Sequence, residues 1–275
     1  MPDADTPIRI LTEPGVYLIG RQTIETTELD RFLTDHGVSW ASDSSVAAEV
    51  VAETAGRVCY MSFAKPRPGG NATYLTHIKE VGHGSVLEHA VWNFVITGVS
   101  RTLTHELVRH RAGFAYSQLS QRYVDESVAE YVEPDIIAGD PELHAIWLDA
   151  VTHAHAAYVT LAEKLNAKLA DPQAAAAAML PADADRTTRR KTARQAARSV
   201  LPNATETKIS ITANARALRH FLEQRGSRHA EPEIRKLACA MLDILQVESP
   251  NLFGDYTKVP LPDGTFEVTT EFKKV

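Results

Sequence analysis

The spacing of apolar residues predicts a chain of amphipathic helices with short strands between them. Apolar positions recur every three or four residues, as on one face of a helix, in segments 24–35, 45–61, 73–81, 101–111, 142–170, 214–225 and 229–247. Apolar runs bounded by turn residues predict strands in segments 8–20, 90–97, 124–132 and 205–212. We expect an α+β fold in which helices pack around a mixed or antiparallel β-sheet, in a single domain over residues 1–275.

Glycine, proline and capping residues mark where these segments end. A turn at residues 14–15 divides the first strand segment, and the composition of 66–71 predicts a loop. Asn71 or Thr73 is expected to cap the helix that follows. The alanine-rich link 171–185 contains prolines, which predict that the chain breaks or bends there.

The stretch 109–123 concentrates the polar chemistry of the chain. It opens with an imidazole between two guanidinium groups, at the end of a predicted helix that Gly113 would cap. An amide, a hydroxyl and a guanidinium then occupy alternate positions at Gln118, Ser120 and Arg122. An extended backbone would direct all three to one side, where they can hold a base edge and a phosphate together. The first two arginines also have a structural explanation, because the macrodipole stabilises a cation at a helix C-terminus by ~0.3–1 kcal/mol.

Composition and charge narrow the function classes. With 275 residues, 44% of them hydrophobic and 23% charged, the chain is typical of a globular protein with a sizeable core. A net charge of −6 argues against nucleic-acid or membrane-surface partners, which require a dominant basic field. No apolar run reaches the ~18 residues of a membrane span. The acidic N-terminus lacks the basic start of a signal peptide, so we expect a cytoplasmic protein.

Three other kinds of site are disfavoured. Cys59 and Cys239 lie in apolar helical segments without cationic neighbours, so we expect buried structural thiols rather than nucleophiles. His105 and His110 are five residues apart, whereas a zinc-protease helix requires a spacing of four, so we expect no metal site there. Ser120 has no base partner in the local sequence, and its expected role is to position a ligand.

A basic helix is predicted from residue 185 to residue 198. Its arginines repeat every four residues and form one stripe, which consists of Arg186, Arg190, Arg194 and Arg198. A solvated charged face is the usual explanation of such a stripe. An RNA-binding helix is the functional alternative, and the acidity of the whole chain weakens it.

Four motifs, in this order, resemble those of the flavin-dependent thymidylate synthases. They are Gly-His-Gly-Ser-Val-Leu-Glu-His at 82–89, Arg-His-Arg followed after eight residues by Ser120, Ala-Arg-Ser-Val-Leu-Pro at 197–202, and a helix that opens with Asn-Ala-Arg at 214–216 and ends at Arg225. Many family members have seven residues before the serine. Glu106, Gln118 and His220 also depart from the commonest pattern, which has glutamine, glutamate and asparagine at these positions.

The resemblance implies a reaction and its ligands. Deoxyuridylate (dUMP), methylene-tetrahydrofolate and NADPH would yield thymidylate (dTMP), tetrahydrofolate and NADP, with FAD relaying the reducing equivalents. It also implies a flavin-dependent thymidylate synthase-like fold, and a homotetramer whose active sites are shared between subunits.

The same resemblance implies roles for individual residues. Those implied in dUMP binding are Glu106, Arg109, Gln118, Ser120, Arg122, Arg198 and Arg225. Those implied in FAD binding are His83, Ser85, Glu88, Arg109, His110, Arg111, Gln118, Asn214, Arg216 and His220. Arg225 would also be catalytic, because a guanidinium beside the pyrimidine stabilises negative charge that develops on the ring.

Two alternatives stay open at the level of the sequence. One is a flavin- or nucleotide-dependent enzyme of another reaction type on the same scaffold. The other is a non-catalytic RNA-binding protein that uses the arginine stripe at 186–198.

Overall fold

The computed structural model describes residues 8–64, 68–124, 126–128, 130–181 and 183–275. Its α-helices are α1 (Thr26–Asp35), α2 (Ala47–Tyr60), α3 (Gly70–Glu80), α4 (Arg101–Leu107), α5 (Asp135–Ala138), α6 (Pro141–Lys168), α7 (Pro172–Ala177), α8 (Arg186–Ala197), α9 (Ala215–Arg225), α10 (Pro232–Glu248) and α11 (Pro250–Phe253). Short 3₁₀ helices cover Gly84–His89 and Arg198–Val200. Among the described residues, no helix has the length and apolar character that a bilayer span requires.

Within the described part of the chain, the strands form three sheets. They are β1 (Arg9–Leu11), β2 (Gly15–Arg21), β3 (Val91–Ser100), β4 (Phe114–Gln118), β5 (Glu130–Val132), β6 (Glu206–Asn214), β7 (Thr257–Pro260) and β8 (Phe266–Thr269). The largest sheet has the order β2-β3-β6-β4, while β1 pairs in parallel with β5 and β7 pairs antiparallel with β8. The predicted α+β class, with helices around mixed and antiparallel sheets, is confirmed.

The residues divide into two compact units. The first unit contains the chain up to Glu13, together with Thr97–His105 and Gln118–Lys208, and the second contains Pro14–Ile96, Glu106–Ser117 and Ile209–Val275. In the first unit the long helix α6 packs against α8. A small core forms around the fully buried ring of Tyr131 and the side chain of Val151.

The second unit holds the larger core. Strand β3 alternates buried and half-buried positions, and the ring of Trp92 meets Phe253 edge-on, with ring centroids 5.5 Å apart. Helix α10 buries its predicted apolar stripe, which includes Leu237 and Met241. Each such side chain contributes about 1.5–3 kcal/mol when it is fully removed from water. This core fixes α9, the helix that carries several of the predicted site residues.

The predicted helix 101–111 ends four residues early, at Leu107. The hydroxyl of Tyr116 lies 2.9 Å from the carbonyl oxygen of Leu107 and 2.5 Å from that of His110. Its single proton is shared between these two acceptors, which a longer helix would have paired internally. Residues 108–113 therefore form a turn, and Gly113 (φ 73°) leads directly into β4 instead of capping the helix.

The extended run predicted through Gln118, Ser120 and Arg122 is also wrong beyond its first member. Strand β4 ends at Gln118, and the carbonyl of Ser120 then accepts bonds from the amides of Tyr123 and Val124, which closes a turn. The serine hydroxyl accepts the amide of Arg122 at 3.4 Å, a local bond that competes with extended backbone. Of the predicted strand 124–132, only β5 forms, and residues 125 and 129 lie outside the described residues.

Two capping and linker predictions need correction. The residue that caps α3 is Gly69, in the left-handed conformation, whereas the Asn71 side chain is buried and binds Glu53 at 2.8 Å. The predicted loop 66–71 extends into the first residues of α3, and residues 66 and 67 lie outside the described residues. The link 171–185 contains the short helix α7, whose amides are capped by Asp171; residue 182 lies outside the described residues.

Of the two cysteines, Cys239 is buried as predicted, but Cys59 is exposed. The error has a physical reason, because the buried face of α2 includes charged residues. Glu53 and Arg57 are both nearly inaccessible and pair with each other at 2.7 Å. The apolar residues around Cys59 in the sequence therefore did not define the inward face of the helix.

Candidate active site

A cavity of about 550 Å³ in the second unit brings together most of the residues predicted to bind a cofactor. It is lined by Glu88, Arg109, His110, Arg111, Ala112, Gly113, Phe114, Asn214, Arg216, Ala217, His220, Gln224 and Arg225. The lining comes from the turn before β4, from α9 and from the 3₁₀ helix at Gly84–His89. These segments are far apart in the sequence, so the cavity exists only in the folded unit.

The N-terminus of α9 is fixed against the turn at Gly113. Asn214 caps the helix, since its side-chain oxygen accepts the amide of Ala217 at 2.9 Å, and its own amide donates to the carbonyl of Gly113 at 3.1 Å. A Cβ at position 113 would lie 2.6 Å from the Asn214 side-chain nitrogen. Only glycine therefore allows this close approach at a φ of 73°.

Arg225 is held at the other end of α9 by three hydrogen bonds. Its Nε donates to Nε2 of His110 at 2.9 Å, one terminal nitrogen donates to the Glu106 carboxylate at 2.6 Å, and the other donates to the Glu106 carbonyl at 3.3 Å. A guanidinium has five N–H donors. Two donors of Arg225 therefore remain for a ligand, on a side chain whose direction is already set.

His110 accepts a bond from Arg225, so its Nε2 carries no proton and the ring is neutral. Burial, the Arg225 charge and the neighbouring His220 lower the pKa of His110 to about 4, against the opposing effect of Glu106. The ring also meets Phe221 edge-on, with centroids 5.4 Å apart. A neutral, well-packed imidazole orients the guanidinium without adding a second positive charge beside it.

The cavity is strongly cationic. Four arginines line it, at positions 109, 111, 216 and 225, against one lining carboxylate, Glu88. Glu88 pairs with Arg216 at 2.6 Å, and Glu106 pairs with Arg109 at 3.0 Å and with Arg225 at 2.6 Å. Even with both carboxylates counted, positive charge is in excess. The preferred ligand is therefore an anion.

The residues present fit the FAD implied by the sequence motifs. The first turn of α9, an eleven-residue helix, borders the cavity through Asn214, Arg216 and Ala217, and helix N-termini bind phosphate groups. Arginines supply forked donors that match phosphate oxygens. Seven of the ten residues predicted for FAD line this cavity. The exceptions, His83, Ser85 and Gln118, are considered next.

His83 and Ser85 lie away from this lining. His83 lines another cavity of the second unit, of about 320 Å³, with Arg57, Tyr60, Ser62, Tyr74, His77 and Ile78. Ser85 is exposed on the 3₁₀ helix. Glu88 is the residue of the Gly-His-Gly-Ser motif that reaches the larger cavity.

The remaining nucleotide-binding candidates belong to the first unit. The amide of Gln118 donates to the hydroxyls of Thr104 (3.2 Å) and Thr207 (3.3 Å), and Ser120 lies in the turn after β4. Arg122 follows in the same turn, and Arg198 is half-buried in the 3₁₀ helix after α8. Of the predicted dUMP set, Arg109 and Arg225 line the second-unit cavity, with Glu106 bound to both.

Sequence reasoning missed two polar residues of interest. Arg101, in the first unit, has a buried terminal nitrogen without a hydrogen-bond partner among the described residues, and burial is the main cause of its lowered pKa. A cation at the start of α4 is disfavoured by the macrodipole, and that signal was available in the sequence. Tyr116, which shapes the turn before the cavity, gave no such signal.

Comparisons with known proteins agree in sequence and in fold. A family model described as thymidylate synthase complementing protein matches residues 43–251. Relatives from Mycobacterium sp. (strain JLS) and Mycolicibacterium gilvum (strain PYR-GCK), both named flavin-dependent thymidylate synthase, are 51% identical over 251 residues, which cover 90% of this chain and 94% of each relative. A solved structure of the UMP/dUMP methylase PolB from Streptomyces cacaoi, bound with 5-Br UMP, has a TM-score of 0.59 and 21% identity, covering 90% of this chain and 95% of PolB. That likeness concerns the fold.

Proposed function

Since the chain belongs to the flavin-dependent thymidylate synthase family, we propose that it is an FAD-dependent enzyme that methylates dUMP to dTMP. Methylene-tetrahydrofolate is the proposed carbon donor and NADPH the proposed reductant. The family resemblance seen in the sequence motifs is confirmed, and with it the assignment as an enzyme. The specific ligands and the residue roles below are proposals.

The observation that carries the proposal is the arrangement around Arg225. Its guanidinium is oriented by neutral His110 and by Glu106, and it keeps two N–H donors for a ligand in a cationic cavity. Donors fixed before the reaction stabilise developing negative charge without the cost of reorganisation. We assign Arg225 to the pyrimidine of dUMP, where it polarises the ring for carbon–carbon bond formation.

The cofactor site is proposed around the turn before β4 and the start of α9. Arg109, His110, Arg111, Asn214 and Arg216 would bind and orient FAD, with His220 and Glu88 beside them. Bound there, the flavin supplies the redox chemistry, as cofactors generally do. The protein contributes charge, orientation and the packed wall formed by Phe114 and Phe221, whose ring centroids are 6.4 Å apart.

The proposed dUMP-binding residues of the first unit are Gln118, Ser120, Arg122 and Arg198, and those of the second unit, besides Arg225, are Glu106 and Arg109. His83 and Ser85, which do not line the larger cavity, are also proposed to bind FAD. The proposed assembly is a homotetramer with shared active sites, built from one functional domain over residues 1–275 in the cytoplasm.

An anaerobic reduction experiment tests the function. The purified protein is reconstituted with FAD and mixed with NADPH, and the flavin absorbance is followed with and without dUMP. Methylene-tetrahydrofolate is then added and thymidylate is measured. We expect flavin bleaching followed by thymidylate formation. Bleaching without any thymidylate would favour an enzyme of another reaction type, and no flavin binding at all would exclude the proposal.

A further inference from the structure

Segment 270–275, which follows strand β8, is fixed along one face of helix α9. The carbonyl oxygen of Phe272 accepts a bond from a terminal nitrogen of Arg219 at 3.1 Å. The amide of Lys274 lies 3.2 Å from each carboxylate oxygen of Glu223. Arg219 and Glu223 are four residues apart in α9, so they share a face of the helix. The path of the segment is therefore set by the helix that borders the larger cavity.

The backbone of Lys274 is left-handed, with a φ of 61°. A residue with a Cβ rarely adopts this conformation, which persists only where the surrounding structure imposes it. The contact that imposes it here is the bond from the Lys274 amide to Glu223. Beyond this turn Val275 is buried, with 5% of its surface exposed, although the two lysines before it are exposed. The turn thus directs the chain inwards.

Val275 and Arg216 meet at Gly84. A Cβ at position 84 would lie 2.6 Å from the carbonyl carbon of Val275 and 2.8 Å from Nε of Arg216. Gly84 is buried and begins the 3₁₀ helix whose Glu88 accepts a bond from Arg216 at 2.6 Å. The main chain of Val275, the main chain of Gly84 and the Arg216 guanidinium are therefore packed together, and each limits where the others can lie.

This packing acts on a side chain that faces the proposed cofactor. Arg216 lines the larger cavity, and 47% of its side chain is exposed. A long, exposed side chain loses rotamer freedom when it binds a ligand, and that loss weakens binding unless the side chain is already held. Glu88 holds one terminal nitrogen of Arg216, and the packing at Gly84 and Val275 limits rotation along the rest of the side chain.

We propose that segment 270–275 positions Arg216 for an anionic cofactor, and that Glu223 and the left-handed turn at Lys274 are the positioning residues that hold the segment in place. Neither residue is in the lining of the larger cavity, so both act through Arg216. The inference rests on the proposed function in one respect, because FAD is the cofactor that this cavity is proposed to bind.

Two matched pairs of variants test the proposal. Lys274→Pro fixes φ at about −65° and removes the amide donor, whereas Lys274→Gly keeps the donor and permits a positive φ. Both remove the same charge. Glu223→Ala removes the acceptor, whereas Glu223→Gln keeps an acceptor oxygen at the same place. Isothermal titration calorimetry measures the Kd for FAD at a temperature at which circular dichroism shows each variant folded. If Lys274→Pro does not fold, the Glu223 pair decides.

Lys274→Pro and Glu223→Ala should raise the Kd for FAD about 10- to 100-fold, while their matched partners stay close to the wild-type value. In an Arg216→Ala background the same changes should have little further effect, since a positioning residue acts only through the group that it positions. A segment that only stabilises the fold would lower the thermal midpoint and leave the Kd of the folded protein unchanged. Equal Kd values within each pair, or an undiminished effect in the Arg216→Ala background, would overturn the proposal.

Inorganic pyrophosphate repeats the test without flavin, through the rise in thermal midpoint that it causes relative to chloride at equal ionic strength. A protein that binds no FAD, but whose stabilisation by pyrophosphate is lost in Lys274→Pro and kept in Lys274→Gly, would contradict the proposed function and support the positioning role. If neither ligand distinguishes these two variants, the positioning role is wrong.

Discussion

Replacing Asp255 with asparagine should destabilise the second unit more than almost any other single polar substitution. The carboxylate of Asp255 accepts bonds from Arg219 at 2.8 Å through each of its two oxygens, from Lys79 at 2.7 Å and from Thr270 at 2.5 Å. The side chain of Arg219 is fully buried and that of Lys79 is 4% exposed. Every contact donates to Asp255, so an amide nitrogen in its place would face other donors.

The expected loss follows from the burial of the two cations. Removing one partner of a buried ion pair costs about 3–5 kcal/mol, because the other charge is left unpaired. Burial already lowers the pKa of Lys79 despite Asp255, so in the variant Lys79 can release its proton, whereas Arg219 stays charged. For a chain of 275 residues the unfolding entropy is roughly 0.6 kcal/mol/K. The midpoint of thermal unfolding should therefore fall by about 5–9 °C.

Differential scanning calorimetry at neutral pH measures this fall, with Asp243→Asn as the matched control. Asp243 pairs with Lys258 at 2.5 Å, but its side chain is 56% exposed, so the loss there should stay below about 1 kcal/mol. The double variant Asp255→Asn with Arg219→Met removes both charges and should recover part of the stability. If Asp255→Asn lowers the midpoint no more than Asp243→Asn does, the buried pair is not what holds α9 to the C-terminal segment.

Four further predictions concern the site. Arg225→Lys should keep bound flavin but lower kcat about 100-fold or more in a thymidylate assay, because a point charge cannot replace the oriented fork; near-normal kcat would remove Arg225 from the chemistry. Ser120→Ala should raise the Kd for dUMP, measured by calorimetry, while turnover persists; total loss of turnover with normal binding would point to a nucleophile instead. Gly113→Ala should cost about 2–3 kcal/mol in urea unfolding, from left-handed backbone strain and the displaced Asn214 cap, whereas an unchanged midpoint would refute the contact. The pKa of His110 is about 6.5 in the unfolded chain and about 4 in the folded protein, so on acidification the unfolded state takes up the proton first. The free energy of unfolding should therefore be constant above about pH 6.5 and decrease by up to ~3 kcal/mol towards pH 4. The variant His110→Gln should abolish this loss.

How much the sequence could predict depends on whether the relevant bonds are local. Helix α9 was predicted between its true ends because Asn214 caps it and its apolar side chains recur at helical spacing. The end of α4 was missed, because it depends on a hydroxyl nine residues further on, Tyr116, whose role no spacing rule shows. The extended run after Gln118 failed for a similar reason, since a serine hydroxyl turned the backbone.

By itself, the sequence determined the fold class, most of the elements and, through four short motifs, the family of the protein. Periodicity and capping act over one or two helical turns, and motifs are contiguous, so both are visible along the chain. Only the tertiary structure decided that Arg225 is oriented by His110 and Glu106, that Arg219 is buried against Asp255, and that Val275 packs against Gly84. These pairs are separated by tens of residues or more. Such contacts form because packing of the apolar core brings distant polar groups within hydrogen-bond distance, and the free energy that selects them belongs to the folded chain as a whole.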